Sequence, residues 1–432
     1  MKRGNDMRIK VKNFAKIKSA DIEINGITVI AGENNTGKST IGKVMYCIFD
    51  SFYDFSKKVS NDRKLKVRTI LANVGYFNDD LHEFVYFSEP FENFNEVYKR
   101  ISEISISEYS KEMVINSYKS IISDYVDPEH LFYFEESIEN IYTVMSLDDE
   151  NIRKTIVSRV FNTEFNRQFK PLFRDNTDDT RLSLKIRDNY IDLKFSDGFE
   201  IEKYIPLTYK VLYIDSPFLL DSVDRERHLP ILTTRKYSGH SLSIVNKLLN
   251  SETDNITDNI IDETISRENI ESIATMINEI IHGKFIIEKD SLRFLEEGID
   301  ESIVVSNLSS GIKVFATLLR LIENGYVVNN SFIILDEPEI NLHPKWQLQF
   351  AKLLVMMQKE LNLHILLNSH SPYFIRAIEI YSAEYCTADK NKYYLASLNN
   401  NKAVFSDVTT NTDEIYQLLA APLNELSGKY YD

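Results

Sequence analysis

A phosphate-binding loop near the beginning of the chain constrains the fold more than any other feature. Residues 32–40 read GENNTGKST, which fits the pattern G-x-x-x-x-G-K-[ST] at every fixed position. An apolar run at 27–31 precedes the loop, and a helical pattern at 38–52 follows it. The glycines of such a loop let successive backbone N–H groups surround phosphate oxygens, and the helix N-terminus adds partial positive charge. Because strand, loop and helix occur together, a plain glycine turn is the weaker interpretation, and an α/β nucleotide-binding fold is expected.

Two side chains of this loop carry the chemistry that nucleotide binding requires. Lys38 would reach the β- and γ-phosphates of a nucleotide, and the Ser39 hydroxyl would ligate Mg²⁺. ATP and Mg²⁺ are therefore the expected cofactors.

A pair of carboxylates at the end of a second apolar run is the next candidate. Residues 332–335 are apolar and lead directly into Asp336 and Glu337. A carboxylate at the end of a buried strand is costly unless it has a partner or a metal. Asp336 would hold Mg²⁺ through water, and Glu337 would orient or deprotonate the attacking water in phosphoryl transfer. A turn that caps the strand is the alternative, but the phosphate loop upstream favours the catalytic interpretation.

Two further segments have the spacing of an ATPase site. Ser309 and Gly311 lie where a helical pattern begins, and Ser309 stands 27 residues before Asp336. A serine at a helix start is also an ordinary N-cap. His370 follows a third apolar run, one helix and one strand after Glu337, where a sensor of the γ-phosphate would be placed. An isolated histidine at such an edge is more often a surface residue.

The order of these four elements resembles the ABC ATPase superfamily, and within it the heads of the RecF, SMC and overcoming-lysogenization-defect (OLD) type. The runs DEPEINLHP at 336–344 and NSHSPYF at 368–374 are especially similar to the OLD-like group. The resemblance covers residues 8–55 and about 205–400. It implies an α/β fold, a P-loop NTPase head with a mixed sheet flanked by helices, and an enzyme that hydrolyses ATP to ADP and phosphate.

The resemblance also implies a role for each matching residue. It makes Lys38, Glu337 and His370 catalytic, and it makes Ser39 and Asp336 the magnesium residues. It makes Ser309 and Gly311 a signature that touches the γ-phosphate held by the opposite subunit. The residues expected to bind ATP are Asn34, Asn35, Thr36, Gly37, Lys38, Ser39, Thr40, Ser309 and Gly311. A homodimer or a higher even-numbered homo-oligomer is therefore expected.

The signature departs from the pattern of the superfamily. That pattern usually reads Ser-Gly-Gly followed by Gln or Glu, whereas this chain has Ser310 in place of the first Gly and Ile312 in place of the polar residue. The glutamine loop of the superfamily is not identifiable in the sequence. These departures affect the expected strength of dimer closure around ATP more than the expectation that a dimer forms.

The distribution of residue types predicts four segments. Residues 1–55 would form the first part of the ATPase head, 56–180 a mostly helical insertion that nearly lacks glycine, 181–400 the remainder of the head, and 401–432 a tail with a hairpin and a helix. The chain has two cysteines, too few for a disulfide framework, and no apolar run of about 20 residues. A cytoplasmic protein without a membrane span is expected.

Charge and aromatic residues mark two surfaces that could serve partners. The formal net charge of −15 argues against a chain coated in basic surface. Positive charge nevertheless gathers at Arg153, Lys154, Arg159, Arg167, Lys170, Arg174, Arg181, Lys185 and Arg187. Phe161, Phe165, Phe169 and Phe173 lie among these cations at helical spacing, so a DNA-binding face and an amphipathic helix with its rings inward both fit, and the helix is favoured. The acidic and aromatic stretch 76–98 fits a protein interface and ordinary core equally well.

The sequence shows no nuclease pattern of its own. The 62 residues after His370 contain no Asp-x-Asp, and no zinc-binding spacing occurs among the histidines and cysteines. Arg235 and His240 have the Arg-x4-His spacing of a small RNase class, which chance also explains. By resemblance, compact ATPases of this kind occur in anti-phage systems such as Septu and PARIS. There they assemble with a separate effector, an HNH nuclease or a TOPRIM-like protein.

Two functions of different classes follow from these observations. The first is a defence ATPase that dimerises around ATP and controls a separate effector. The second is an SMC- or RecF-like repair ATPase that clamps DNA. A nuclease-like neighbouring gene would favour the first function, and salt-sensitive DNA binding that requires ATP would favour the second.

Overall fold

Two compact units make up the chain. The computed structural model describes residues 7–78, 83–86, 94–126, 128–173, 179–196, 198–207, 211–221, 239–250, 260–288 and 291–428. The first unit comprises residues 1–53 and 157–432, and the second comprises residues 54–156. Among the described residues, no helix combines the length and the apolar character that a membrane crossing requires.

The described strands are β1 (Met7–Phe14), β2 (Ile17–Ile24), β3 (Ile27–Gly32), β4 (Gly75–Asn78), β5 (Glu83–Tyr86), β6 (Thr180–Ile186), β7 (Asn189–Phe195), β8 (Phe199–Lys203), β9 (Val211–Ile214), β10 (Gly283–Glu288), β11 (Ser291–Glu296), β12 (Ile303–Val304), β13 (Phe332–Asp336), β14 (His364–Ser369), β15 (Lys392–Asn399) and β16 (Lys402–Asp407). The described helices are α1 (Lys38–Phe52), α2 (Phe55–Ala72), α3 (Phe94–Ser102), α4 (Lys111–Ser123), α5 (Glu135–Ser146), α6 (Asp149–Glu164), α7 (Gly239–Leu249), α8 (Ile260–Ile281), α9 (Ser310–Glu323), α10 (Pro344–Leu361), α11 (Pro372–Glu384) and α12 (Asp413–Gly428).

A mixed sheet runs through the first unit. Among the described strands its order is β8-β7-β6-β1-β2-β16-β15-β3-β14-β13-β9. The strands β8, β7, β6, β1 and β2 are antiparallel neighbours, whereas β15, β3, β14, β13 and β9 are parallel. The hairpin of β15 and β16 lies between β2 and β3, which are consecutive in the chain. The mixed α/β sheet of the sequence analysis is therefore confirmed.

The parallel strands are covered on both faces, as their apolar sequences predict. Successive side chains of a strand point to opposite faces. Val29 and Ile333 accordingly join one core with helices α9 and α10, while Ile30 and Ile334 join a second core with helix α1. Because neighbouring parallel strands run the same way, the carboxyl ends of β3, β14, β13 and β9 meet at one edge of the sheet.

The second unit has a core of its own, built largely by helices α2, α3, α4 and α5. Val67, Tyr118 and Phe134 are fully buried there. The predicted insertion, 56–180, extends beyond this unit, because Val157 and Phe161 at the end of α6 pack in a core of the first unit. The predicted tail, 401–432, begins inside a hairpin, because β15 lies before residue 401 and its partner β16 lies after it.

The aromatic residues of the two predicted partner surfaces are largely core residues where the structure describes them. Phe161 and Phe169 are both buried against Phe14, but only Phe161 lies on helix α6, so the interpretation as an amphipathic helix holds for Phe161. Helix α6 ends at Glu164, before Pro171. Phe94 and Tyr98 of the acidic stretch are also buried. The side chains of residues 75–93 and Arg174 lie outside the described set.

Candidate functional site

The phosphate loop connects β3 to α1 and contains two positions, Gly32 and Gly37, at which any residue other than glycine would be strained. Gly32 has φ +150°, and a Cβ there would collide with the backbone carbonyl of Ala396 on β15. Gly37 has φ +85° in the left-handed region and directly precedes the first residue of α1. Asn35 also has a positive φ, +65°. Such a backbone is open to glycine and tolerated by asparagine.

The Lys38 ammonium is buried within the loop. Its Nζ donates hydrogen bonds to the carbonyl oxygens of Gly32 and Glu33, at 3.0 and 2.8 Å. Burial lowers the pKa of Lys38, and the carboxylates of Glu337 and Asp336 oppose this shift. The lysine is thus placed close to both predicted acidic residues, and a bound phosphate would compete with two carbonyl oxygens for it.

Asp336 ends strand β13 and is oriented by two neutral donors. Tyr213 on β9 donates its hydroxyl to Oδ2 at 3.1 Å, and Asn368 on β14 donates its amide to Oδ1 at 2.8 Å. Sequence reasoning assigned a role to neither donor, because each lies on a different strand. Ser39 and Asp336 line the same cleft.

The donor set of this cleft fits a magnesium ion that is held together with a nucleotide. Ser39 and Asp336 supply hard oxygen ligands, and Mg²⁺ in nucleotide sites is held by one or two such protein groups and by substrate phosphates. Among the described residues there is no cluster of three or more His, Cys, Asp or Glu side chains that would form an all-protein cage. The arrangement therefore suits a metal that arrives with ATP.

Glu337 and His370 touch each other at the carboxyl edge of the sheet. Glu337 Oε1 lies 2.7 Å from His370 Nε2, and both side chains are about one quarter exposed. The backbone of Glu337 has φ +50°, and its N–H donates to the carbonyl oxygen of Asn368 at 3.0 Å. Burial, followed by the Lys38 charge, lowers the pKa of His370, while Glu337 opposes the shift. This direction favours a neutral imidazole near pH 7.

Glu339 is a buried carboxylate that sequence reasoning did not single out. Its Oε1 accepts hydrogen bonds from the hydroxyl of Ser369 and from the backbone N–H groups of His370 and Ser371. Burial raises the pKa of Glu339, and these donors oppose the shift. The residue therefore fixes the loop that carries His370. The signal in the sequence was a further glutamate two positions after Glu337.

Ser309 is the N-cap of helix α9 and is exposed. Its Oγ accepts from the backbone N–H of Ile312 at 3.4 Å, the ordinary capping contact that the sequence analysis kept as an alternative. Gly311 faces the ring of Trp346, which a Cβ would approach to 3.2 Å. Within the described part of the chain, neither Ser309 nor Gly311 lines the cleft that contains Ser39.

The cleft has a volume of about 300 Å³ and two kinds of wall. Its polar wall includes Ser39, Asp215, Asp336 and Glu337. Its apolar wall includes Val314, Leu318, Leu335, Ile340 and Phe350. Asp215, which directly follows strand β9, was not foreseen from the sequence.

The Arg-x4-His pair does not form a surface site among the described residues. Arg235 lies outside the described residues, and His240 is buried, 4% exposed, between Glu164 and Asp215. A buried imidazole has no access to an RNA backbone. The RNase interpretation therefore has no support from His240.

Comparisons with known proteins identify the family of the chain. A family model described as "AAA ATPase domain" matches residues 7–375. Among solved structures, the SMC head domain from Thermotoga maritima is 11% identical, with a TM-score of 0.39 over 94% of this chain and 99% of that one. An Smc head domain with an extended coiled coil, bound to the C-terminal domain of ScpA derived from Pyrococcus furiosus, is 11% identical, with a TM-score of 0.40 over 98% and 99%. A search of curated proteins gave no match.

Proposed function

The chain belongs to the AAA ATPase domain family and is an ATP-hydrolysing enzyme, and from this premise we propose that it closes as a dimer around ATP to control a separate effector in anti-phage defence. The contact between Glu337 and His370, beside Lys38 and Asp336, carries the hydrolytic part of this proposal. These side chains come from three parallel strands or the loops that follow them, so one edge of the sheet assembles the hydrolytic groups.

The proposed division of labour follows from charge and position. The loop from Asn34 to Thr40 cradles the phosphates, and Lys38 binds the β- and γ-phosphates. Ser39 and Asp336 would hold Mg²⁺, which supplies positive charge against the phosphate oxygens when it is bound. Glu337 accepts a proton from the attacking water or orients it, and His370 holds Glu337 and senses the γ-phosphate.

Dimer closure is proposed because the signature lies apart from the cleft of its own chain. Ser309 is exposed at the N-terminus of α9, where partial positive charge and unpaired N–H groups attract an anion. Neither Ser309 nor Gly311 lines the cleft around Ser39 among the described residues. A second copy could therefore present this helix end to the γ-phosphate bound by the first.

A protein effector is proposed from the resemblance to compact defence ATPases and from apolar exposure on the second unit. Large apolar side chains exposed there are Leu65, Tyr109, Met113, Phe132, Tyr133 and Leu147. Exposed apolar side chains are common singly, but such a group on one small unit is typical of protein contact. An HNH or TOPRIM-like nuclease is the expected class of effector.

A phage challenge of cells that carry this gene with its neighbours tests the proposed function. Cells with the wild-type chain should resist infection. Lys38→Ala, Glu337→Gln and the pair Met113→Ser with Phe132→Ser should each return phage plating to that of cells without the genes, because they remove nucleotide binding, hydrolysis and effector contact. Immunoblots must show equal protein amounts.

Two results would contradict this proposal. Protection by Lys38→Ala would show that the ATPase site is not needed. Protection by the ATPase gene without its neighbours would show that no separate effector exists. The purified chain alone should leave DNA and RNA intact with any divalent metal.

A DNA clamp is the second candidate function, and one face of the antiparallel sheet favours it. Lys12 on β1 lies opposite Arg181 on β6, which lies opposite Lys194 on β7. Residues in register share a face, and like charges directly opposite one another destabilise a sheet. The cations on this face are Arg8, Lys10, Lys12, Arg181, Lys185, Lys194 and Lys203. Asp21 pairs with Arg8 and Lys10, and Asp179 with Lys194, so the excess of positive charge is modest.

Charge reversal of Lys12, Arg181 and Lys194, which are aligned across β1, β6 and β7, tests the proposed DNA clamp. Lys12→Glu with Arg181→Glu and Lys194→Glu should weaken duplex DNA binding. The slope of the logarithm of the binding constant against the logarithm of the salt concentration should fall by the amount expected for about three phosphate contacts. Fluorescence anisotropy with a non-hydrolysable ATP analogue measures both quantities. Reversal of Lys57, Lys66 and Lys99 on the second unit is the matched control. Equal binding by the two triple variants would argue against a clamp on this face.

A further inference from the structure

A buried cluster of charges lies beside the nucleotide cleft, and the proposed function leaves it unexplained. His240, in the first turn of α7, is enclosed between two carboxylates. Its Nδ1 lies 2.7 Å from Glu164 Oε1, and its Nε2 lies 2.8 Å from Asp215 Oδ2. The side chains of His240 and Glu164 are 5% and 2% exposed, whereas that of Asp215 is 32% exposed. One end of the cluster is therefore sealed, and the other opens to the cleft.

The sealed end is fixed by the start of helix α7. Glu164 Oε2 accepts the backbone N–H of His240 at 3.1 Å, so this carboxylate lies at a helix N-terminus, where negative charge is favoured. Gly239 has φ +59°, and a Cβ there would collide with Glu164. Lys43 of α1 adds an ion pair to Glu164 at 3.3 Å. Glu164 is thus an anchor that leaves His240 little freedom.

The open end faces the groups that act on ATP. Asp215 lines the same cleft as Ser39, Asp336 and Glu337. The Tyr213 ring packs against the His240 ring with centroids 4.3 Å apart and an interplanar angle of 31°, and the Tyr213 hydroxyl donates to Asp336. His240 and Tyr213 therefore contact Asp215 and Asp336, respectively.

Electrostatics favour the charged forms of His240 and Asp215. Burial alone would lower the pKa of His240, but the hydrogen bonds that its ring donates to Asp215 and Glu164 raise it to about 9. Burial would raise the pKa of Asp215, but His240 and Lys43 hold it below its usual value. Buried ion pairs of this kind are weak contributors to stability, because desolvation offsets the attraction. A role in setting geometry explains them better than a role in stability.

We propose that Asp215 is a third carboxylate acting on Mg²⁺-bound ATP in the cleft, and that His240, anchored by Glu164, is the residue that positions it. This inference rests on the proposed ATPase site and adds a specific residue pair to it. His240 Nε2 fixes one oxygen of Asp215 at 2.8 Å, and the other oxygen would face the cleft and the water shell of the metal. Outer partners that orient a ligand in this way typically contribute about 10- to 100-fold in metal affinity or activity.

A double-mutant cycle separates positioning from a structural role. Two quantities are measured: kcat for ATP, and the gain in affinity for a non-hydrolysable ATP analogue when Mg²⁺ is added. Asp215→Asn and His240→Gln should each lower kcat and the Mg²⁺-dependent gain by about 10- to 100-fold. In the Asp215→Asn background, His240→Gln should have almost no further effect, because the carboxylate it positions is already gone.

His364→Gln is the matched control. His364 is also buried, 3% exposed, and it begins strand β14, at the end away from the carboxyl edge that carries the site. It should lower the melting temperature and leave kcat and the Mg²⁺-dependent gain unchanged. Should His240→Gln fail to fold, Asp215→Asn decides, since it replaces a partly exposed side chain by one of equal shape.

Two results overturn the inference. In the first, His240→Gln reduces both quantities as strongly in the Asp215→Asn background as in the wild type. In the second, Asp215→Asn keeps the wild-type kcat and the full Mg²⁺-dependent gain. An inactive wild-type chain would instead contradict the proposed ATPase site itself, so the two failures can be told apart.

Discussion

Glu337→Gln should bind ATP as tightly as the wild-type chain and hydrolyse it about 100- to 1,000-fold more slowly. The amide keeps the shape of the side chain but cannot accept a proton from water, and it no longer carries the charge that lies 2.7 Å from His370. The ATP-bound dimer should therefore accumulate. Size-exclusion chromatography with light scattering, in ATP and Mg²⁺, measures this.

Two controls accompany this experiment, and one result would contradict the assigned base. Without nucleotide, Glu337→Gln should elute like the wild-type chain. Combined with Lys38→Ala, it should lose the dimer, because no ATP is held. Wild-type hydrolysis by Glu337→Gln would show that another carboxylate of the cleft, such as Asp215, is the base.

Mixing Lys38→Ala with Ser309→Arg should restore ATPase activity that neither variant has alone. Ser309→Arg places a bulky charge at the exposed start of α9, where it would meet the nucleotide of the opposite subunit, while its own Lys38 still binds ATP. In the mixed dimer the intact Lys38 of one chain faces the intact Ser309 of the other. One of the two sites is whole, so up to half of the wild-type activity per dimer is expected.

Tandem fusion of the two variants removes the dependence on subunit exchange. A fusion of Lys38→Ala to itself is the negative control, and a wild-type tandem sets the reference. If the mixed fusion recovers no ATPase activity, this would contradict a composite site that is built from both chains and can hydrolyse ATP without its neighbouring site. Full activity of Ser309→Arg alone would exclude a role for the signature.

Local patterns were sufficient to predict most of the parallel core. Each of its predicted elements combines an apolar run with a clear boundary: Gly37 before α1, Pro344 at the start of α10 and the carboxylates after β13. The one helix and one strand that the sequence places between Glu337 and His370 are α10 and β14 in the structure.

Contacts between distant segments could not be predicted in the same way. Glu164, Asp215 and His240 lie on separate elements, and no periodic pattern relates them. Glu339 was missed for a related reason, since its partners lie on the loop after β14. The predicted insertion runs to residue 180 and the second unit to residue 156, because α6 continues past this point and its apolar residues do not reveal which core they join.

The place of the β15–β16 hairpin in the sheet has a consequence for synthesis on the ribosome. Strands β2 and β3 are made within the first 32 residues, yet β16 and β15 separate them in the finished sheet. The phosphate loop also rests against Ala396 of β15 through Gly32. A nascent chain therefore cannot close its sheet around the loop until residues 392–407 have left the exit tunnel, so competence to bind ATP is acquired late in translation, after the second unit has emerged.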